Sequence, residues 1–291
     1  MNQRWYQKFL LTTAVGVLAC GVASADFMSG FEPPTYSGST GGIDVNGQDG
    51  FYNPLPDESV SYKVYTYAGN VLGIPPHPIN GGEQFVAGTG PGDGVYYARS
   101  QRDIPHGDTG LWTASFDIAG TFVGDLPTAD NIGSFSTIEF DLSNPPNATF
   151  ISLARWTDPN TGDLWNADYV VFDAAGNYVY PAVVPDPAFH DLPINHWYRW
   201  STTYDLDTNM VVEVAITDLT TGEMATYNPP DWYLGGGAGG GLPQPSGFRF
   251  FAGCSSAYGN TLAFDNLSIV PEPATLSLLG LAGLMALRRR R

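Results

Sequence analysis

The chain has 291 residues, of which 29 are acidic and 12 basic, for a formal charge of −17. A field of that sign repels phosphate, which excludes nucleic acid as a partner. Two cysteines exclude a disulfide-rich scaffold, so stability has to come from an apolar core.

At the front, Arg4 and Lys8 precede the apolar run Phe9 to Leu18, and Ala23-Ser24-Ala25 has the small-x-small pattern that a signal peptidase accepts. Residues 1–25 are therefore predicted to form a signal helix, cleaved to leave Asp26 as the mature N-terminus. An alternative takes Val17-Leu-Ala-Cys20 as a lipoprotein box with Cys20 acylated. With Cys20 removed, Cys254 stands alone and no internal disulfide can form. Between Asp26 and Val270, twenty-eight acidic residues face six basic ones, a formal −22. That charge favours neutral glycans or divalent cations as ligands, though solubility outside the cell explains it equally well.

From Asp26 to Pro56 the chain is rich in Gly, Ser, Pro and Asn, and reads as an opening strand with long loops into which Phe27 and Phe31 tuck. From Val60 onward, period-two alternation dominates. Val60, Tyr62 and Val64 fall on one face, with Ser61, Lys63 and Tyr65 on the other. Ala114, Phe116 and Ile118 alternate with Ser115 and Asp117, as Ile138, Phe140 and Leu142 do with Glu139 and Asp141; strands follow at 149–155 and 168–173.

Residues 196–216 predict a hairpin. Tyr198, Trp200, Thr202 and Tyr204 point inward, a polar turn covers 205–209, and Met210, Val212, Val214 and Ile216 return to the same core. Thr217 to Glu223 repeats the pattern of Thr157 to Asp163, a turn whose glycine can supply a positive φ. Gly235 to Gly241 reads as a flexible loop, and Phe248–Ala252 and Thr261–Ile269 as closing strands. No long stretch has helical periodicity. The fold class expected is all-β: an antiparallel jelly-roll or Greek-key β-sandwich over 26–269, with the signal helix before it and a short transmembrane helix after it.

The tail combines Val270-Pro271-Glu272-Pro273, an uncharged run from Ala274 to Leu287, and Arg288, Arg289, Arg290 and Arg291. That run rises about 21 Å as a helix, against a hydrocarbon core of about 30 Å, so it predicts a brief membrane span. The arginines keep their end cytoplasmic. Residues 270–291 resemble the PEP-CTERM sorting signal of bacteria that make extracellular polysaccharide. The resemblance implies an exosortase that cleaves near Pro271-Glu272-Pro273, transient anchoring in the inner membrane, and delivery to the cell surface or matrix. An uncleaved tail anchor is the alternative.

In the body, Phe31-Glu-Pro-Pro-Thr-Tyr36, Gly47-Gln-Asp-Gly-Phe51, His196-Trp-Tyr-Arg-Trp200, Tyr204-Asp-Leu-Asp-Thr-Asn209 and Leu262-Ala-Phe-Asp-Asn-Leu-Ser-Ile269 resemble the concanavalin A-like lectin/glucanase superfamily. That resemblance implies two curved sheets, a face that holds glycan, and in some members calcium. Glucanases of the superfamily carry Glu-x-Asp-x-x-Glu, against Glu139-Phe-Asp141-Leu-Ser-Asn144 here. An amide cannot donate the proton the last position must give, so Glu139 and Asp141 are read as a solvated strand face or as acceptors for sugar hydroxyls.

Asp205, Asp207 and Asn209 offer alternating oxygens as calcium loops do, but the glycine and the bidentate glutamate are missing, and a hairpin turn explains them. Asp158, Asn160 and Asp163 form a similar loop, and Asp265-Asn266 reads as a lectin-like ligand pair or a polar strand end. His77, His106, His190 and His196 lack zinc spacing. Of the tryptophans Trp112, Trp156, Trp165, Trp197 and Trp232, most are expected to be buried, with Trp165 and Trp232 exposed as sugar platforms. No cofactor other than calcium is expected, and no enzymatic activity. The reading is an exported, non-enzymatic binder of extracellular polysaccharide. A divergent glycoside hydrolase around Glu139 and Asp141, or a purely structural surface protein, are the alternatives.

Overall fold

The computed structural model describes residues 27–79, 82–90, 97–104, 109–122, 131–138, 148–240, 247–253 and 259–271. The predicted signal segment with Ala23 and Ala25, Glu139 and Asp141 with Asn144, His106, Cys254, and Glu272, Pro273 and the tail through Arg291 lie outside them.

The described chain is built from β1 (Phe27–Ser29), β2 (Ile43–Asp44), β3 (Ser59–Val60), β4 (Lys63–Thr66), β5 (Gln84–Thr89), β6 (Tyr97–Asp103), β7 (Leu111–Phe122), β8 (Asn131–Ile138), β9 (Ala148–Trp156), β10 (Leu164–Phe172), β11 (Tyr178–Ala182), β12 (Leu192–Pro193), β13 (Tyr198–Asp205), β14 (Met210–Asp218), β15 (Met224–Tyr227), β16 (Gly247–Ala252) and β17 (Asn260–Pro271). One sheet runs β15-β14-β13-β7-β17-β5-β4-β2 with β1 beside β17, and the other β11-β10-β9-β8-β16-β6-β3 with β12 beside β10. Every pairing is antiparallel except that of β3 with β6. This is the expected antiparallel sandwich. No helix among the described residues is long and apolar enough to cross a membrane.

Apolar residues that alternate along the strands face inward, and the two inner faces share one aromatic-rich core. Phe116 on β7 meets Phe135 on β8 with ring centroids 4.5 Å apart, Phe250 on β16 stacks on Phe264 of β17 at 4.5 Å, and Tyr169 on β10 packs edge-on against Trp200 on β13 at 5.3 Å. The Trp200 indole N–H donates to the Tyr169 hydroxyl, which satisfies both polar atoms in the dry interior. Burying each such ring contributes about 1.5–3 kcal/mol. Phe27 and Phe31 do tuck in, as do Ala114, Phe116 and Ile118.

Three local readings change. Val60 does not share a face with Tyr62 and Val64, because the chain crosses from one sheet to the other between β3 and β4; Tyr62 and Val64 are buried, and Val60 sits exposed at an edge. In the β13–β14 hairpin the four inward residues of β13 are as expected, but a bulge sets Tyr204 opposite Val211 while Thr203 faces Glu213. Val212 is the extra residue. It turns outward and Val211 takes the core position, since one inserted residue inverts the side-chain phase.

The glycine loop after β15 is tied down by hydrogen bonds through its described residues. The Asn209 amide donates to the carbonyls of Leu234, Gly235 and Gly237, and Ala238 N donates to Ala174 O. At Gly237, which has φ 69°, a Cβ would sit 2.5 Å from Gly176 N. The repeated turns behave alike. Asp158 and Asp218 each accept the backbone N–H two residues on, and Gly162 and Gly222 take φ values of 64° and 78°.

The two outer faces differ. Over the nine-stranded sheet, the segment that carries Tyr67 and Ile74 folds down to make a second, smaller core with Tyr65, Phe85, Ala119, Trp197 and Ala263. That cover is why Tyr65, on the polar phase of its strand, is buried.

Candidate functional site

Beneath the covering segment lies a buried polar cluster centred on Asp117 of β7. Its Oδ1 accepts from Arg199 Nε at 2.8 Å, and its Oδ2 accepts from Arg199 Nη2 at 2.9 Å and from Asn266 Nδ2 at 2.9 Å. His77 Nε2 lies 2.9 Å from Oδ2, while its Nδ1 accepts from Ile79 N at 3.1 Å; the proton is thus on Nε2, and His77 donates to Asp117. Burial alone would raise the Asp117 pKa, but the hydrogen bonds from His77 and Arg199 outweigh it and hold the carboxyl below its ordinary range.

Next to it, Asp265 accepts from the Tyr67 hydroxyl at 2.7 Å and from Asn266 N at 2.7 Å. Burial pushes its pKa up to about 8, against the lowering effect of the Tyr67 hydrogen bond. The ligand-pair reading of Asp265-Asn266 is therefore corrected. Asp265 is fully buried and holds the covering segment through Tyr67, while the Asn266 side chain donates to Asp117 on β7.

Trp165 and Trp232 are corrected too. They are 0% and 8% exposed, packed against Trp200 and Tyr169 in the main core, because both belong to positions that the sandwich closes over. Trp112, Trp156 and Trp197 are buried as expected. In the 205–209 turn, Asp205 accepts from Asp207 N at 2.9 Å and from the Thr208 hydroxyl at 2.8 Å, and Asn209 is committed to the glycine loop. Among the described residues no group of three acidic, histidine or cysteine side chains is arranged to hold a metal ion.

The outer face of the eight-stranded sheet is different in kind. An open depression of about 460 Å³ runs across it, within the size range of ligand pockets. Its floor follows from register. Phe248 and Phe250 point into the core, so Arg249 and Phe251 point out; Arg249 lies between Gln101 on β6 and Ser136 on β8, and Phe251 between Arg99 and Ser134. Ser136 and Ser134 lie opposite Ile151 and Leu153 on β9, and Ile151 opposite Val170 on β10. Tyr178 and Tyr180 on β11 form the far wall, 61% and 55% exposed. From β6 to β11 the floor spans five strand spacings, about 24 Å.

At the β6 end, the Arg99 guanidinium stacks on Tyr97 and Phe251, 4.6 Å and 5.2 Å from their ring centroids. Arg249 donates through Nε and Nη2 to Gln101 Oε1 at 3.2 Å and 2.9 Å. Sequence reasoning passed over these residues. The signals were there in Phe248-Arg249-Phe250, which aims the arginine away from the core, and in Tyr178-Val-Tyr180, which puts two rings on one face.

Residues 270–291 match the family model of the PEP-CTERM protein-sorting motif, which implies export and sorting through the C-terminus. Among curated proteins none matches the sequence. Of solved structures, peanut lectin with a 9mer peptide is similar at 12% identity over 85% of this chain and 97% of that one, with a TM-score of 0.44. Arcelin-5, a lectin-like defence protein from Phaseolus vulgaris, is similar at 11% identity over 85% and 98%, with a TM-score of 0.38. The CBM2 module of the Lactobacillus casei BL23 phage J-1 evolved Dit is similar at 13% identity over 65% and 76%, with a TM-score of 0.40.

Proposed function

We propose that this exported protein binds extracellular polysaccharide, without catalysis, in the groove across the outer face of its eight-stranded sheet. One observation carries the reading: of the two outer faces, this one is an open trough with a wall of two exposed tyrosines and a floor of serine hydroxyls and apolar side chains. Sugar rings present apolar faces that pack on aromatic rings and hydroxyls that pair with short polar side chains, and a trough about 24 Å long accommodates several linked rings. Signal peptidase and an exosortase would process the two ends, with the inner membrane holding the tail until cleavage, and the surface or matrix would be the destination.

Affinity electrophoresis through gels cast with neutral and acidic polysaccharides tests this. The protein should be retarded by at least one gel, and the Tyr178→Ala/Tyr180→Ala variant should migrate freely in it. Equal retardation of the two would remove the groove from the account.

A further inference from the structure

Overall charge argues for neutral ligands; the groove itself does not. Of the six basic residues between Asp26 and Val270, Arg102, Arg155 and Arg199 pair with Asp49, Asp168 and Asp117, and Lys63 is exposed on β4 of the other sheet. Arg99 and Arg249 remain. They occupy neighbouring strands of the same face, diagonal to one another, and neither makes an ion pair among the described residues. Arg99 Nε is buried with no hydrogen-bond partner. The carboxylates nearby are otherwise occupied: Asp103 accepts from the Tyr52 hydroxyl, and Asp168 is held by Arg155. Glu58 favours the Arg99 charge only at a distance.

Two guanidinium groups set side by side without an anion are destabilising. Burial lowers the pKa of both, and for Arg249 the neighbouring Arg99 charge lowers it further, to about 10. In a body with twenty-eight acids to place, charge compensation here would have been easy to arrange. A planar guanidinium fixed by stacking, with its edge unused, matches a carboxylate in geometry as well as charge. The acidic remainder of the surface is screened beyond about 8 Å at physiological ionic strength, so the local pair decides what the groove attracts.

We infer that Arg99 and Arg249 form the anion-recognising end of the groove, and that its glycan carries carboxylates, as a polysaccharide containing uronic acids does. The inference rests on the proposed glycan groove and names the ligand class for it. Serines 134 and 136 and the two tyrosines would hold the rings that follow.

The test compares a polyuronate, the same polymer with its carboxyl groups reduced to alcohols, and a sulfated neutral polymer, by titration calorimetry in EDTA and again with calcium. The polyuronate should bind in EDTA at least tenfold more tightly than the reduced polymer, the expected scale for one charge-assisted hydrogen bond. A folded Arg99→Gln/Arg249→Gln variant should lose that preference while keeping the residual binding of the reduced polymer. Tyr178→Ala/Tyr180→Ala should weaken both. Equal binding of the native and reduced polymers, a strict calcium requirement, preference for sulfate, or an arginine double variant that still prefers the polyuronate would each overturn the inference and leave the glycan groove standing. Binding of no polymer in any arm would overturn both. Should the double variant not fold, Arg99→Lys/Arg249→Lys replaces it; it keeps the charge but loses the planar fork, and retention of the full preference would again refute the assignment.

Discussion

Replacing Asp117 with asparagine is the sharpest probe of how the covering segment is held. The carboxylate accepts four hydrogen bonds, two from Arg199 and one each from His77 and Asn266. Asparagine keeps the volume but turns one acceptor into a donor. With its amide nitrogen at the Oδ1 position it faces Arg199 Nε donor to donor, and the three bonds that remain lose their anionic acceptor. One charge-assisted bond is worth about 1.5–3 kcal/mol. Arg199 is 46% exposed and recovers part of its loss from water, whereas His77 is buried and cannot. The expected cost is about 2–4 kcal/mol.

Arg199→Met should cost less, about 1–2 kcal/mol, since the carboxylate keeps His77 and Asn266. Urea unfolding monitored by tryptophan fluorescence measures both, with Trp197, 5.2 Å from the His77 ring, reporting on the segment directly. Because the folded Asp117 pKa lies below its unfolded value, its contribution is present above the ordinary carboxylate range and is lost as pH falls through the folded value; the variant should lack that acid-side loss. A cost under about 1 kcal/mol, or Arg199→Met proving the worse of the two, would refute this account of the cluster.

Asp265 predicts the opposite slope. With a folded pKa of about 8, it binds its proton more tightly in the folded state, so stability should fall as pH rises from about 4 to 8 and level off above; Asp265→Asn should flatten that limb and exceed the parent at pH 9, and unfolding curves that coincide across the window would contradict it. Asn209→Ala removes three amide hydrogen bonds and places alanine at φ 58°, for a loss of about 1–3 kcal/mol; Asn209→Gly isolates the amide, and a glycine variant as stable as the parent in urea would show that the amide contributes nothing. At Gly133 a Cβ would fall 2.2 Å from Phe251 O, so Gly133→Ala should lower stability by about 1–3 kcal/mol, and a melting temperature matching the parent's would show that β8 and β16 can part without penalty.

The alternation of Ala114, Phe116 and Ile118, and of Tyr198 to Tyr204, was legible because period two is a property of adjacent residues. Val212 was not, because a bulge is visible only against the partner strand. The burial of Tyr65 depends on a segment folding back from residues 67–79, and the burial of Trp165 depends on β13 across the core; neither is a local property. The polar cluster joins residues 77, 117, 199 and 266, too far apart in sequence for any spacing rule. Arg249 was readable from its phenylalanine neighbours, but the empty space beside it required the partners of every other basic residue to be known.

The last described strand is a central one. β17 lies between β7 and β5, carries Phe264 into the core and Asp265 into the polar cluster, and runs through Pro271, which pairs with Trp112 at the first residue of the Pro-Glu-Pro motif. β5 and β7 therefore keep open ladder edges until this stretch, the last before the sorting motif, pairs with both. Central strand and sorting motif are contiguous in the chain, so a polypeptide cut short before residue 260 would lack both together.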